Sequence, residues 1–280
     1  MNALTRTVAL NGGVEIPQVG LGVFQVPSDG ARSVVSAALA AGYRHIDTAA
    51  AYANEVGVGE ALRESGLRRD EVFVTSKLRN GDQGRGTAAA AYADTCERLA
   101  VEHLDLYLIH WPNPAAGLWQ DSWRDLEDLL DAGRVRAIGV SNFLPEHLEE
   151  LVGFARHLPA VNQIEVHPAF QQREAVAAST ARGIVVEAYS PLGQGSALAA
   201  SAIGEIAEAR GVSPAQVVLR WHLQHGRVVI PKTTSPERMA QNADLEGFVL
   251  SPKDMAVIDG LDSGARTGND PRSFSISQIR

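Results

Sequence analysis

At 280 residues, 45% apolar and 21% charged, the chain has enough apolar mass for a full core and too little charge for disorder. Its net charge of −8 disfavours nucleic acid and anionic lipid as partners, and the lone Cys96 precludes an intramolecular disulfide or a cysteine-rich zinc site. No apolar run approaches the roughly 18 residues that span a bilayer, and MNALTRTVALNGG lacks the order of a secretory signal, so a soluble cytoplasmic protein is expected.

In chain order, VALNGGVEIPQ places Asn-Gly-Gly between two short extended runs, which predicts a hairpin capping the base of the fold. Eight strand-like runs follow at fairly even spacing, at 18–21, 44–47, 72–77, 104–110, 135–141, 160–165, 184–189 and 228–231. Helical periods separate them. In 119–132, for example, Trp119, Trp123, Leu126, Leu129 and Leu130 fall on one stripe, leaving Asp121, Asp125, Asp128 and Asp131 for a solvated face. An extra helical segment, 203–210, ends at Gly211, and Ser213-Pro214 starts another. No linker composition divides the chain, so residues 1–280 are read as one domain. The alternation predicts an α/β fold, a (β/α)8 TIM barrel with an N-terminal β-hairpin and extra helices. A doubly wound open sheet shares that alternation and is the alternative. Gly20-Leu21-Gly22 does not complete a dinucleotide fingerprint, because Gln25 stands where the third glycine belongs.

Barrel chemistry is expected at the carboxyl ends of the strands. Three neighbouring strands end in polar residues. By period two Asp47 shares a face with His45, Lys77 with Thr75 and Phe73, and His110 with Leu108, Leu106 and Leu104. With strands about 4.8 Å apart, these ends would converge at one mouth, with Tyr52 in the loop above. A lysine ammonium beside a phenol would lower the proton affinity of Tyr52, Asp47 would balance Lys77, and His110 would orient a substrate oxygen. The set suits protonation of a carbonyl oxygen while a nicotinamide cofactor delivers hydride to its carbon. Each residue taken singly could instead be a capping or ion-pair group. His222 and His225, one turn apart, lack a carboxylate partner for zinc, and His167-Pro168 reads as a loop turn.

The sequence resembles the aldo-keto reductases, and within them the bacterial group that includes 2,5-diketo-D-gluconate reductases. The resemblance rests on Gly42-Tyr43-Arg44-His45-Ile46-Asp47-Thr48-Ala49 with Tyr52, Asn54, Glu55, Gly57 and Gly59. It continues through Ile138-Gly139-Val140-Ser141-Asn142-Phe143 and Ile230-Pro231-Lys232-Thr233 with Arg238, Gln241 and Asn242. It implies a catalytic set of Asp47, Tyr52, Lys77 and His110, with Tyr52 as general acid. It implies NADPH, with Ser141, Asn142 and Gln163 on the nicotinamide carboxamide, Tyr189 on the ring, and Ser190, Leu192 and Gly193 along the pyrophosphate. Lys232, Thr233 and Arg238 would hold the 2′-phosphate, Gln241 and Asn242 would face the adenine, and Gly22 is counted with the cofactor residues. A surface salt bridge is the alternative for Arg238.

Phe24 and Trp111 would join Tyr52 and His110 around a pocket for small carbonyl substrates. Where many relatives carry Trp this chain has Arg79, which would favour anionic or polyhydroxylated substrates if it faces the pocket and is otherwise a surface residue. The short, polar segment 262–280 implies a small, open pocket, and the resemblance implies a monomer. Two other functions use the same residues. One is a Schiff-base lyase with Lys77 as nucleophile, and the other is an NADPH-binding sensing or interaction module without turnover.

Overall fold

The computed structural model describes residues 3–275. β1 (Thr7–Ala9) and β2 (Glu15–Pro17) form the expected antiparallel hairpin. Eight parallel strands then run in chain order as neighbours: β3 (Leu21–Gly22), β4 (His45–Asp47), β5 (Phe73–Leu78), β6 (Leu104–Ile109), β7 (Val135–Ser141), β8 (Val161–Glu165), β9 (Val185–Tyr189) and β10 (Val228–Val229). The first and last meet. Gly20 N donates to Val229 O at 2.8 Å and Val229 N to Gln18 O at 2.9 Å, which closes the sheet into a (β/α)8 barrel and excludes the open-sheet alternative.

The outer layer consists of α1 (Ser28–Ala40), α2 (Glu55–Glu64), α3 (Thr87–Leu99), α4 (Trp119–Asp131), α5 (Pro145–Val152) and α6 (Arg173–Thr180), one after each strand from β3 to β8. After β9 come α7 (Ser201–Arg210) and α8 (Pro214–Gln224), and after β10 come α9 (Pro236–Ala243) and α10 (Pro252–Asp259). Ser213 caps α8 by accepting from Gln216 N, with Pro214 in the first turn as the sequence signals. Among the described residues no helix is long and apolar enough to cross a membrane.

Alternation along the strands divides the apolar residues into two cores. Outward-facing Ile46, Val74, Tyr107, Ile138 and Val186 pack under the helices with Trp123, Val217 and Trp221. Inside the barrel, Phe73, Leu106, Leu108, Ala137, Val161 and Val228 meet Leu10 and Ile16 from the hairpin region, so the hairpin plugs the base. Leu104, expected inside with Leu106, packs with the outer core instead. The solvated face proposed for α4 also needs correction at Asp125, which is buried. Its Oδ2 accepts from Gly86 N at 2.6 Å and Ala89 N at 3.3 Å, neutralising amides at the start of α3.

Candidate active site

At the carboxyl end of the barrel, Asp47, Lys77 and His110 come together as their strand positions predict. Lys77 is fully buried, and its Nζ donates to Asp47 Oδ1 at 2.6 Å and to Thr48 O at 2.8 Å. Burying that ammonium is tolerable because it is paired and hydrogen-bonded. Tyr52 ends a short 3-10 turn, Ala50–Tyr52, and Ala53 then turns the chain with φ 55°. Asn54 fixes this turn: its Oδ1 accepts from Thr48 Oγ1 at 2.8 Å, and its Nδ2 donates to Val23 O and Val26 O at 3.0 and 3.1 Å. The Tyr52 ring lies 5.7 Å from His110 and 5.1 Å from Phe24, centre to centre, with Lys77 Nζ 5.2 Å from its centroid.

The electrostatics differ from expectation at Tyr52. Burial, then Asp47, then Glu187 push its hydroxyl well above the usual tyrosine value, so the phenol is protonated at neutral pH. Lys77 does not lower it because Asp47, at 2.6 Å, already neutralises the ammonium. Burial and the nearby Lys77 hold His110 well below the ordinary histidine value, so its imidazole is neutral. Lys77 lies behind Asp47 and does not line the cavity, which argues against a Schiff-base nucleophile.

Above the strands opens a cavity of about 910 Å³, counted with its mouth. Gly22, Phe24, Asp47, Tyr52, His110, Trp111, Ser141, Asn142, Gln163, Tyr189, Ser190 and Lys232 line it, all named from the sequence. Ile230, from the expected eighth strand, lines it too, as do Gln194, Gly268 and Asn269, which were not anticipated because they lie in loops whose paths no periodicity reveals. The residues β7, β8 and β9 place there are already cross-braced. Ser141 Oγ donates to Gln163 O at 2.8 Å, Asn142 Nδ2 to His110 O at 3.0 Å, and Tyr189 Oη to Asn142 Oδ1 at 2.8 Å.

The remaining residues that the resemblance assigns to a cofactor do not line the cavity. Leu192 and Gly193 follow Ser190, and Gly193 N donates to Ser190 O. Thr233 is buried and accepts from Arg238 Nε at 3.1 Å at the start of α9. Among the described residues Lys232 and Arg238 make no ion pair with an acid, so the salt-bridge alternative for Arg238 finds no support. Gln241 is exposed on α9 and Asn242 is buried. The fit to a dinucleotide rests on this structure's own geometry. A Cβ at Gly22 would come within 2.8 Å of Ile230 O, so glycine alone lets these two segments meet at the cavity, whose lining joins the amide and hydroxyl groups of Ser141, Asn142 and Gln163 to the cation Lys232.

Arg79 does not line this cavity. Both its Nε and Nη2 bond Asp82, at 2.5 and 2.9 Å, on the far side of the loop, which removes the basis for selection of anionic substrates by this residue. The C-terminal segment also departs from the open pocket expected. Phe274 packs on Trp111 at 4.3 Å between centroids, and Glu165 accepts from Thr267 N, Thr267 Oγ1 and Gly268 N at 2.6, 2.6 and 2.9 Å. Residues 276–280 of that segment lie outside the described residues. His222 and His225, weighed for metal, and His167, read as part of a loop turn, each have a partner within the protein. His222 Nε2 lies 3.2 Å from Pro191 O, His225 pairs with Asp259 and His167 with Glu165, and no metal-holding cluster occurs among the described residues.

The sequence profile of the Aldo/keto reductase family matches residues 18–263. The chain belongs to the aldo-keto reductase family. An aldo-keto reductase of Mycolicibacterium smegmatis is 50% identical over 98% of this chain and 100% of its own. A glyoxal reductase of Bacillus subtilis is 49% identical over 96% and 97%. Among solved structures, a Gox0644 mutant in complex with NADPH matches with a TM-score of 0.92 and 44% identity over 96% of this chain and 98% of that one. The protein is thus an NADP-dependent oxidoreductase, and the barrel and hairpin are those of an aldo-keto reductase.

Proposed function

We propose that this aldo-keto reductase reduces small aldehydes and ketones, dicarbonyls included, to alcohols, with Tyr52 as the proton donor. The observation that carries this reading is the placement of protonated Tyr52 and neutral His110 on one cavity, over a buried Lys77–Asp47 pair and beside the apolar walls of Phe24 and Trp111. The glyoxal reductase relative supports dicarbonyls as a substrate class. Ser141, Asn142, Gln163 and Tyr189 would hold the nicotinamide end of the cofactor and Lys232 and Arg238 its phosphate end. When bound, that cofactor supplies the hydride.

The side chains do the rest. A neutral His110 donates an N–H to the carbonyl oxygen and fixes its direction, while Phe24 and Trp111 exclude water. The high proton affinity of Tyr52 keeps its proton in place until negative charge develops on the carbonyl oxygen, and the proton then moves from Oη to that oxygen. Solvent reprotonates the phenolate after the alcohol leaves. Lys77 and Asp47 form a fixed ion pair beneath the ring.

The test is NADPH oxidation with glyoxal-type dicarbonyls, aromatic aldehydes and keto-sugars. Tyr52→Phe is expected to lower kcat by about 10²- to 10⁴-fold, the usual span for a general acid, while still binding NADPH. A Tyr52→Phe enzyme with full activity refutes the role of Tyr52. Tight NADPH binding without turnover on any carbonyl would favour a sensing module instead.

A further inference from the structure

Glu187 sits mid-strand on β9, opposite Gln163 of β8 in register, and is completely buried inside the barrel. Its Oε2 accepts from Gln163 Nε2 at 2.8 Å, and the same nitrogen donates to Asp47 Oδ2 at 2.8 Å. The Gln163 amide therefore bridges two carboxyl groups. The other oxygen, Oε1, has no hydrogen-bond partner and lies 3.5 Å from His45 Nε2. His45 Nδ1 faces Pro17 O at 3.3 Å, and a carbonyl can only accept, so Nδ1 carries the hydrogen and a neutral His45 presents an acceptor lone pair at Nε2, which Thr75 Oγ1 approaches at 3.4 Å and Glu187 Oε1 at 3.5 Å. Burial makes His45 neutral by pushing it down to about 4. A carboxylate oxygen facing that lone pair would repel it, whereas an O–H would donate to it.

The charges agree. One buried cation, Lys77, serves two carboxyl groups, and its ammonium is bonded to Asp47. With Asp47 charged, a neutral Glu187 leaves the buried group balanced.

We propose that Glu187 is a positioning residue of the reductase site: as a carboxylic acid it ties Gln163 to His45, keeps the Asp47 charge for Lys77, and turns the Gln163 carbonyl oxygen toward the cavity. The role in catalysis rests on the reduction proposed above, but the protonated bridge does not. Burial and Asp47 push the Glu187 carboxyl up to about 8, in keeping with the geometry. The groups facing it are Asp47 and His45 from β4, Lys77 and Thr75 from β5, the Gln163 amide from β8, Val228 from β10, and Tyr52 above. Above about pH 8, loss of this proton would set two anions against one cation, and it is then that the Glu187 charge joins burial and Asp47 in raising the proton affinity of Tyr52.

Two measurements on the whole protein test the inference, and neither uses turnover. Infrared difference spectra of the protein alone near pH 7, wild type against Glu187→Gln, should show a protonated-carboxyl stretch that the variant lacks. Fluorescence titration with NADPH should show affinity about tenfold weaker in Glu187→Ala, with Glu187→Gln recovering most of it because an amide can still bridge Gln163 and His45. The wild-type affinity should also fall between about pH 7 and pH 9, and the fall should be absent in Glu187→Gln. If Glu187→Ala does not fold, the spectrum and the pH comparison with Glu187→Gln still decide. Wild-type spectra without the band, or the same alkaline fall in both proteins, would overturn the proposal. A protein that bridges as described but reduces no carbonyl would instead count against the function proposed above.

Discussion

The inner faces of the same strands build two unlike regions. Near the base, Phe73, Leu106, Ala137 and Val161 meet Leu10 and Ile16 in a dry plug, while at the mouth Asp47, Lys77, Gln163 and Glu187 form a connected polar layer. β5 shows the change along one strand, from Phe73 in the plug through Thr75 beside His45 to Lys77 on Asp47. Height along the strand decides whether an inward position stabilises or reacts. The base is held by non-directional burial that tolerates approximate shape, whereas the mouth depends on complete pairing of every charge and donor.

The sharpest way to break this contrast is Lys77→Met, which leaves Asp47 buried without its cation. Stability is expected to fall by about 3–5 kcal/mol, with activity lost as well, and urea unfolding would measure the first. At the base, Ile16→Ala should cost about 2–5 kcal/mol of stability through a cavity in the plug while leaving KM and kcat near wild type. Loss of activity in proportion to stability would show that the two regions are coupled after all.

Acid offers a milder probe. His45, His110 and His222 are all held below the ordinary histidine value, chiefly by burial, so the unfolded chain binds protons that the folded one refuses. Stability should therefore decline as pH drops below about 6.5 and continue to fall toward the folded-state values, about 4 for His45. Urea midpoints between about pH 7 and pH 5 should show a loss on the order of 2 kcal/mol for each of the three that stays neutral. Smallest is Arg238→Ala in the first turn of α9, where NADPH affinity should drop about tenfold and NADH affinity hardly at all, by parallel titration.

Much of this was legible in the sequence because period two places side chains by face. β7 begins and ends where its apolar run does, and β5 extends one residue beyond expectation, to Leu78. β10 stops at Val229, short of the expected 231, because Pro231 has no N–H to continue the ladder, although its oxygen still accepts from Gly22 N. Asp47, Lys77 and His110 could be found as polar ends of neighbouring strands. Three features could not be read this way. The proton affinity of Tyr52 sums over Asp47 and Glu187, which the closed barrel alone brings together. The path of the C-terminal segment onto Trp111 depends on a loop. Which of its two positions Arg79 takes was left open, although its partner Asp82 stands only three residues on, a spacing that signals a local pair. Glu187 had a visible mark, an acid in the middle of the apolar run VVEAY.

The clasp between Glu165 and residues 267–268, with Phe274 resting on Trp111, gives one wall of the cavity to a segment outside the barrel's hydrogen-bonded sheet. In evolutionary terms the two can vary at different rates. A substitution among the strands risks the fold and the proton chemistry together, whereas one between Gly268 and Phe274 reshapes the substrate space alone. A lineage, or a laboratory selection, can therefore redraw the cavity wall by changing a few residues between Gly268 and Phe274 while inheriting the barrel intact.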